Sequence, residues 1–366
     1  MAATINKIKV LFNLHHLYYL PQFMPVADVM SENGRFDIYF SAFIDNERVE
    51  YELITRVLSD YKNKFITGET EKDRIENIHR ENFDITIFGK SAHAEKYCNP
   101  DTLAVLLYHG IGVKSCYYTD YDPRIDVRYI EGEYRRREFE RRGIDTDLVV
   151  TGFPKLDSIA KTNRELTRKL NLDENKKTIL YAPTFYPSSI EVFGEGLAKL
   201  TRNYNLIVKL HHFSWVLKKY RHQKNLFMRM AETYEHVHLM PVEFTNIAEL
   251  YNYSDILLTE ASSTLFEYLA TENPVIVCDF MHLRWNHRLF PSRFNKRMDY
   301  DIARQLDFAY DLKSPEWLPA TVEKALLERP VRVDRLRERK REMLGRVDGK
   351  ASERVVEDLL KRIDQR

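Results

Sequence analysis

The chain has few cysteines and no long apolar run. Its 366 residues include only three cysteines, Cys98, Cys116 and Cys278, and their spacing is not that of a zinc site or a disulfide framework. A reducing cytoplasm is therefore the expected compartment. No stretch approaches the roughly 18 to 20 apolar residues that cross a bilayer, and the N-terminus lacks a secretory signal pattern. We expect neither export nor membrane insertion, and contact with a membrane surface stays open.

An excess of either charge is also missing. Charged residues make up 30% of the sequence, yet the formal net charge is only +1. No bulk field attracts nucleic acid, so we expect no nucleic-acid partner. Glycine is scarce as well, at 12 residues, so a place that uses two glycines within three positions is informative. That place is Gly110-Ile111-Gly112, directly after His109.

Strand and helix patterns alternate along the chain, which is typical of an α/β architecture with parallel sheets. Two series of short apolar runs are visible: 8–12, 36–40, 85–88, 103–108 and 148–151, then 178–181, 206–209, 237–240, 256–259 and 275–278. A chain of this length is expected to form two domains. We place them at 1–160 and 161–349, and the closing helix, 350–366, can pack on the first.

The stretch from Asn252 to Cys278 has the pattern strand, turn, helix, strand. Ser262 and Ser263 stand at the expected helix start, where backbone N–H groups and the helix dipole attract phosphate oxygens. Glu267 lies one turn later and can accept hydrogen bonds from ribose hydroxyls. An ordinary capped βαβ unit explains the same pattern, because serine caps are common and no glycine-rich fingerprint is present.

A histidine follows the apolar run 103–108 at once. This places His109 at the carboxyl end of a strand, where ligands collect in open α/β sheets. Histidine can take a proton from a hydroxyl near neutral pH, so His109 is the candidate general base. The alternative is that His109 only completes a turn.

A second histidine site ends the run 206–209. Lys209 and His211 alternate along the strand and so share one side, while His212 points elsewhere. A cation and a hydrogen-bond donor suit the charge that develops on a phosphate leaving group. Either histidine can instead be structural. No metal ligand set has a recognisable spacing, and no metal or other cofactor is predicted.

Weaker candidates lie in loops and on one helix. His15, in the first strand-to-helix loop, can touch an acceptor. Asp120-Tyr121-Asp122 is interpreted as a turn, and the arginine-rich helix around Arg135 as a solvated face. The segment His282 to Arg297 mixes aromatic and basic residues, as in an interfacial loop, although a solvated loop explains it equally.

Five motifs in order resemble the CDP-glycerol glycerophosphotransferases, which build teichoic acids and related bacterial surface polymers. They are His109-Gly110-Ile111-Gly112-Val113-Lys114, Gly152-Phe153-Pro154-Lys155-Leu156-Asp157, Leu180-Tyr181-Ala182-Pro183-Thr184, Lys209-Leu210-His211 and Thr259-Glu260-Ala261-Ser262-Ser263. Each motif alone is weak, but the order and spacing make coincidence improbable. The resemblance implies the glycosyltransferase B (GT-B) architecture, in which two Rossmann-like domains with parallel sheets face a cleft and closing helices follow.

The resemblance also implies a role for each motif. His109 is then the base on the acceptor hydroxyl, and His211, Ser262 and Ser263 hold the donor phosphates. The remaining predicted site residues are Lys209, Thr184 and Glu267 for the donor and His15 and Lys114 for the acceptor. The implied reaction moves glycerol phosphate from CDP-glycerol to a lipid-linked or polymeric acceptor and releases CMP. The implied location is the cytoplasm, at the inner face of the cell membrane.

Two departures from the family's usual pattern lie near the expected donor pocket. Phe185-Tyr186-Pro187 stands where an aromatic and then a basic residue are usual, and Glu260-Ala261 stands where the polymerases have Asp-Tyr. CDP-ribitol and nucleotide-sugars therefore stay candidate donors. The alternatives are a GT-B glycosyltransferase of capsule or cell-wall polysaccharide, an epimerase-like nucleotide-sugar-binding protein without an acceptor, and a non-catalytic scaffold.

Overall fold

The computed structural model describes residues 7–44, 48–91, 93–112, 121–161, 163–281 and 306–366. They belong to two units. Unit 1 takes in the chain up to His109, residues 121–160 and Gly345–Arg366, and unit 2 takes in Gly110–Gly112 and Lys161–Leu344. Each unit has a β-sheet of its own, in which every strand pair is parallel. The predicted α/β class with two parallel sheets is confirmed.

Unit 1 contains seven described strands in the spatial order β3-β2-β1-β4-β5-β6-β7. They are β1 (Ile8–Leu14), β2 (Phe36–Ala42), β3 (Phe65–Ile66), β4 (Ile85–Phe88), β5 (Leu103–Leu107), β6 (Val127–Ile130) and β7 (Leu148–Val150). The order 3-2-1-4-5-6 is that of the Rossmann fold, and it reverses direction between β1 and β4. Ligands bind beyond the carboxyl ends of the strands at such a switch point.

Unit 2 repeats this order with six described strands, β10-β9-β8-β11-β12-β13. They are β8 (Thr178–Ala182), β9 (Asn205–Val208), β10 (Val237–Leu239), β11 (Ile256–Thr259), β12 (Val275–Cys278) and β13 (Tyr310–Leu312). Its switch point lies between β8 and β11. The ends of β9, β8 and β11 are therefore neighbours at one edge of the sheet.

Twelve α-helices lie within the described residues. They are α1 (Leu20–Asn33), α2 (Arg48–Val57), α3 (Glu71–Glu81), α4 (Glu133–Arg141), α5 (Arg164–Leu170), α6 (Ile190–Phe193), α7 (Gly196–Leu200), α8 (Phe213–Val216), α9 (Arg221–Thr233), α10 (Ser263–Glu267), α11 (Leu318–Leu344) and α12 (Ala351–Asp364). None of the helices in the described ranges combines the length and apolar character that crossing a bilayer requires.

The buried strands explain most of the sequence pattern. All residues of β4, β8, β11 and β12 are buried, as expected for parallel strands covered on both faces. The sequence did not predict β3, β6 and β13. β3 has two residues and β13 is a three-residue edge strand, while Arg128 interrupts the apolar run of β6. Arg128 is 1% exposed and donates to the Ser91 hydroxyl at 2.7 Å.

The closing helix α12 belongs to unit 1. The Asp157 carboxylate accepts the backbone N–H groups of Ala351 at 3.0 Å and Ser352 at 2.8 Å, at the helix start. Gly152 has φ +90°, and a Cβ there would press on the Arg346 carbonyl oxygen and the Ala351 methyl group. The Gly-x-Pro-Lys-x-Asp motif therefore fixes the last helix to unit 1, which gives the motif a structural role.

Candidate functional site

His109 is oriented by one carbonyl group at the end of β4. Its backbone N–H donates to the Gly89 oxygen at 3.2 Å, and its Nδ1 lies 2.6 Å from the same oxygen. A carbonyl oxygen only accepts, so Nδ1 carries the proton of the neutral ring. The lone pair is therefore on Nε2, as a general base requires.

Two tyrosines support the His109 ring. The Tyr19 ring is stacked on it with the centroids 4.8 Å apart, and the Tyr18 ring meets it edge to face, also at 4.8 Å. Gly89 makes room for this arrangement, because a Cβ at that position would overlap the Tyr19 ring. Sequence reasoning missed these three residues. The available signal was a scarce glycine placed directly after the strand β4.

His15 lies at the same edge of the unit 1 sheet, just after β1. Its ring is stacked on Phe43 with centroids 5.4 Å apart. Burial, aided by the positive charges of Lys90 and Arg74, lowers the pKa of His15 to about 4. At neutral pH the ring is uncharged, so it can exchange hydrogen bonds but adds no positive charge. The acceptor contact predicted for His15 stays a prediction.

Unit 2 presents His211 in the opposite tautomer. Its Nδ1 accepts the backbone N–H of Phe213 at 3.2 Å, so the proton of the neutral ring is on Nε2. The ring packs against Phe185 with centroids 4.7 Å apart. Nε2–H is thus a donor, which is what a phosphate oxygen needs. Lys209 is 8% exposed, and its ammonium group lies 3.4 Å from the Leu210 carbonyl oxygen.

Three hydroxyl groups meet between β11 and α10. The Ser262 hydroxyl lies 2.6 Å from that of Thr264 and 3.2 Å from that of Thr259, which donates to the Ala182 carbonyl at 2.7 Å. Ser262 occupies the N-cap position, but its side chain makes no capping hydrogen bond. The predicted place of a serine at the helix start is therefore confirmed, whereas the capping hydrogen bond is not formed, because the Ser262 hydroxyl contacts these neighbouring hydroxyls instead. Ser263 is the first residue of α10 and is half-buried.

Glu267 lies in the interior of unit 2. It is 0% exposed, and its carboxylate accepts the Tyr251 hydroxyl at 2.8 Å. Because it is fully buried, Glu267 offers no surface to a ligand in this conformation. The ribose contact predicted for Glu267 stays a prediction.

Thr184 lies in the loop after β8, and this loop is fastened to Glu260. The Glu260 carboxylate accepts the backbone N–H groups of Thr184 at 2.6 Å and Ser189 at 2.8 Å. Glu260 is 2% exposed, and burial raises its pKa from 4.5 to about 7. Thr184 donates its hydroxyl to the Pro187 carbonyl. Sequence reasoning counted Glu260 within the fifth motif and noted that the polymerases have Asp there, but it assigned Glu260 no role.

A cavity of about 490 Å³ lies at the end of β10. Its lining combines side chains of α5, β10 and the following segment: Asn163, Glu165, Leu166, Lys169, Leu170, His238, Leu239, Met240, Pro241, Glu243, Phe244, Thr245 and Glu249. Its size is in the range of small-molecule sites. The cavity includes none of the candidate residues of β9, β8 and β11, so we define the site by those residues and their hydrogen bonds.

The weaker sequence candidates include a turn at Asp122 and a solvated face around Arg135. Asp122 forms a turn, as interpreted, by accepting the backbone N–H of Arg124 at 2.9 Å. The solvated face predicted around Arg135 is wrong at that residue, which is 1% exposed and paired with Glu131 at 2.8 Å. Lys114 and the segment 282–297 lie outside the described residues.

Comparisons with known proteins agree with the motif order. The sequence profile of the family described as CDP-Glycerol:Poly(glycerophosphate) glycerophosphotransferase matches residues 125–361. The teichoic acid poly(glycerol phosphate) polymerase of Bacillus spizizenii is 30% identical over 166 residues, which covers 40% of this chain and 39% of that protein. The teichoic acid poly(ribitol-phosphate) polymerase of the same organism is 25% identical over 249 residues, covering 62% and 36%. The chain thus spans less than half the length of these relatives.

Solved structures share the fold at low identity. The wall teichoic acid polymerase TagF matches with a TM-score of 0.67 at 15% identity, covering 98% of this chain and 90% of that chain. A UDP-N-acetylglucosamine 2-epimerase matches with a TM-score of 0.58 at 14% identity, covering 99% and 97%. These matches establish a common architecture.

Proposed function

Because the chain belongs to the CDP-glycerol:poly(glycerophosphate) glycerophosphotransferase family, we propose that it transfers a polyol-phosphate unit from a CDP-activated donor to a hydroxyl group. The acceptor is a lipid-linked or polymeric surface molecule, and CMP is released. The observation that carries the proposal is the opposite tautomers of two histidines. His109 presents a proton acceptor, and His211 presents a proton donor.

In the proposed reaction His109 Nε2 takes the proton of the acceptor hydroxyl. The acceptor oxygen forms a bond to the β-phosphorus of the donor, and the bond from that phosphorus to the oxygen bridging to CMP breaks. The electron pair leaves with CMP. His211 Nε2–H donates to a phosphate oxygen, and Lys209, Ser262 and Ser263 add charge and hydroxyl donors that stabilise the departing phosphate. The family resemblance and the sequence pattern assign Thr184 and Glu267 to the donor and His15 and Lys114 to the acceptor; a donor contact of Glu267 requires its buried carboxylate to leave Tyr251.

Donor identity is proposed only to the level of a CDP-polyol. The relatives include a glycerol-phosphate and a ribitol-phosphate polymerase at comparable identity, so the family does not separate the two polyols. A thermal-shift panel of CDP-glycerol, CDP-ribitol, CMP and UDP-sugars tests the proposal. A donor at one hundred times its dissociation constant adds about 2.7 kcal/mol of stability. Stabilisation and turnover by UDP-sugars, with UDP released, would contradict it.

We also propose contact with the inner face of the cell membrane, where a lipid-linked acceptor is found. The supporting observation is an apolar stripe on α11 and the turn before it. Trp317, Leu327 and Val331 are 62%, 82% and 82% exposed. Their spacing puts them on one side of a helix. Exposed tryptophan and aliphatic side chains suit the boundary between headgroups and acyl chains.

A further inference from the structure

The Glu260 side chain links the ends of β8 and β11, two strands that are neighbours in the sheet but not consecutive in the chain. β8 and β11 are neighbours at the switch point of unit 2, with Thr259 paired to Ala182. Just beyond that pair, the Glu260 carboxylate accepts N–H groups from both ends of the loop that follows β8, at Thr184 and at Ser189. One buried side chain therefore fixes both ends of a loop at the edge where ligands bind in this fold.

A hydroxyl chain strengthens this attachment. The Ser189 hydroxyl donates to the Glu260 carboxylate at 2.5 Å, and it lies 2.7 Å from the Tyr181 hydroxyl, which must then donate to it. Tyr181 and Ser189 are both fully buried. The carboxylate thus accepts three hydrogen bonds, two of them from the buried Ser189. When the carboxyl group is ionised these bonds are charge-assisted, and such bonds are about twice as strong as neutral ones.

The loop carries an aromatic side chain to His211. The Phe185 ring lies 4.7 Å from the His211 ring and 5.0 Å from the Phe213 ring. The Phe185 carbonyl also accepts the Gln223 side-chain amide at 3.0 Å, so the middle of the loop is fixed as well. The place of the His211 ring therefore depends on the conformation of the loop, and both ends of the loop depend on Glu260.

We propose that Glu260 is a positioning residue for the donor site: it fixes the loop 184–189 so that Phe185 holds the His211 ring in its donor orientation. The catalytic meaning of this role rests on the proposed function. The structural part of the proposal, that Glu260 positions the His211 ring through the loop, does not depend on which substrate is used.

The test replaces the carboxylate without changing its size. Glu260→Gln keeps one acceptor oxygen and puts an NH₂ group, which cannot accept, opposite one of the backbone N–H groups. We expect the imidazole ¹⁵N signals of His211 to shift, because the Phe213 N–H bond to Nδ1 and the Phe185 contact change. These signals are assigned by their absence in His211→Asn. Turnover of the CDP-polyol should fall by roughly 10- to 100-fold in kcat/KM.

Two further variants separate positioning from general loss of stability. Glu260→Asp keeps the charge on a shorter side chain and should restore part of the turnover and of the His211 signals. Glu131→Gln removes a buried carboxylate paired with Arg135 in unit 1, so it should lower the melting temperature without moving the His211 signals.

The outcomes are distinct. If Glu260→Gln lowers only the melting temperature and leaves the His211 signals at their wild-type positions, Glu260 is merely structural and the proposal is overturned. If the wild-type protein turns over no CDP-polyol, the proposed function fails, yet the His211 signals still decide the role of Glu260. Loss of folding in Glu260→Gln leaves the decision to Glu260→Asp, whose unchanged signals would also overturn the proposal.

Discussion

Single hydrogen bonds decide what each of the two candidate histidines can do. Gly89 offers an oxygen to Nδ1 of His109, and Phe213 offers an N–H to Nδ1 of His211. The same ring atom is a donor in one case and an acceptor in the other, so the outer nitrogens have opposite roles. A substitution that keeps the imidazole but changes the backbone group bound to Nδ1 should therefore change which ring nitrogen carries the proton.

Replacing His109, the proposed base, tests the first of these roles. His109→Asn should lower kcat by roughly 10²- to 10⁴-fold, because the acceptor hydroxyl loses its proton acceptor. Stabilisation by the donor should persist, because the groups proposed to bind it belong to unit 2. CMP release and a thermal shift with the CDP-polyol measure the two effects. His93→Asn, at an exposed histidine of unit 1, is the matched control. Full turnover by His109→Asn would exclude it as the base.

Gly89→Ala should impair catalysis through the Tyr19 ring. The added Cβ has no room beside that ring, so the tyrosine and the histidine stacked on it must shift. A displacement near 1 Å can cost about 100-fold in rate. Steady-state kcat measures this loss. Gly196→Ala, where a Cβ meets nothing within 4 Å, is the control. Equal activity of the two variants would show that the Tyr19 contact is dispensable.

The Glu260 carboxyl group should give unfolding a pH dependence. Its folded-state pKa is raised from 4.5 to about 7, so the fold favours the neutral acid. Its stabilising contribution is complete below pH 4.5 and is lost as the pH rises through 7, by at most about 3 kcal/mol. Burial keeps the pKa values of neighbouring Tyr181 and Cys278 well above their usual range, so both stay neutral.

Urea unfolding between pH 4.5 and 8 checks this expectation. The free energy of unfolding of wild type minus that of Glu260→Gln should fall as the pH rises, since glutamine does not titrate. A difference that stays constant with pH would mean that the carboxyl group keeps an ordinary pKa in the folded protein.

At the scale of elements, the sequence predicts what depends on local pattern. The bounds of β4, β11 and β12 agree with the apolar runs, because a strand buried on both faces is a continuous apolar stretch. The strand-end positions of His109 and His211 followed from the same pattern. What escaped prediction depends on partners distant in the chain: β6 contains a buried arginine, and Glu260 is explained only by the loop 184–189.

The start of α12 offers a test of one such distant partner. Asp157→Ala removes the acceptor of two N–H groups at that helix start, which should cost about 1 to 2 kcal/mol of unfolding free energy. Protease should then cut earlier between residues 345 and 350. Chemical denaturation and limited proteolysis measure these effects. Glu357→Ala, at an exposed position of α12, should behave as wild type. No loss of stability in Asp157→Ala would mean that water replaces the cap.

For the whole molecule, the apolar stripe predicts binding to lipid. Leu327→Glu combined with Val331→Glu should lower partitioning onto phosphatidylglycerol vesicles at least about tenfold, because two aliphatic side chains leave the interface. Vesicle flotation measures the bound fraction. Met228→Glu, at a residue that is 40% exposed on α9, is the control. If the double variant floats with vesicles as the wild type does, the stripe is not the contact surface.

The return of the chain to unit 1 constrains the order in which the protein can be made. Residues 161–344 are synthesised without interruption, whereas α12 emerges only after all of them. The chain of unit 2 is therefore complete before Asp157 can meet the helix that it caps. Domains usually fold in order from the N-terminus during synthesis, but here the chain of unit 1 is completed after that of unit 2. The apolar surface of unit 1 that α12 covers with Val355, Val356 and Leu359 is thus the last part of that unit to be buried.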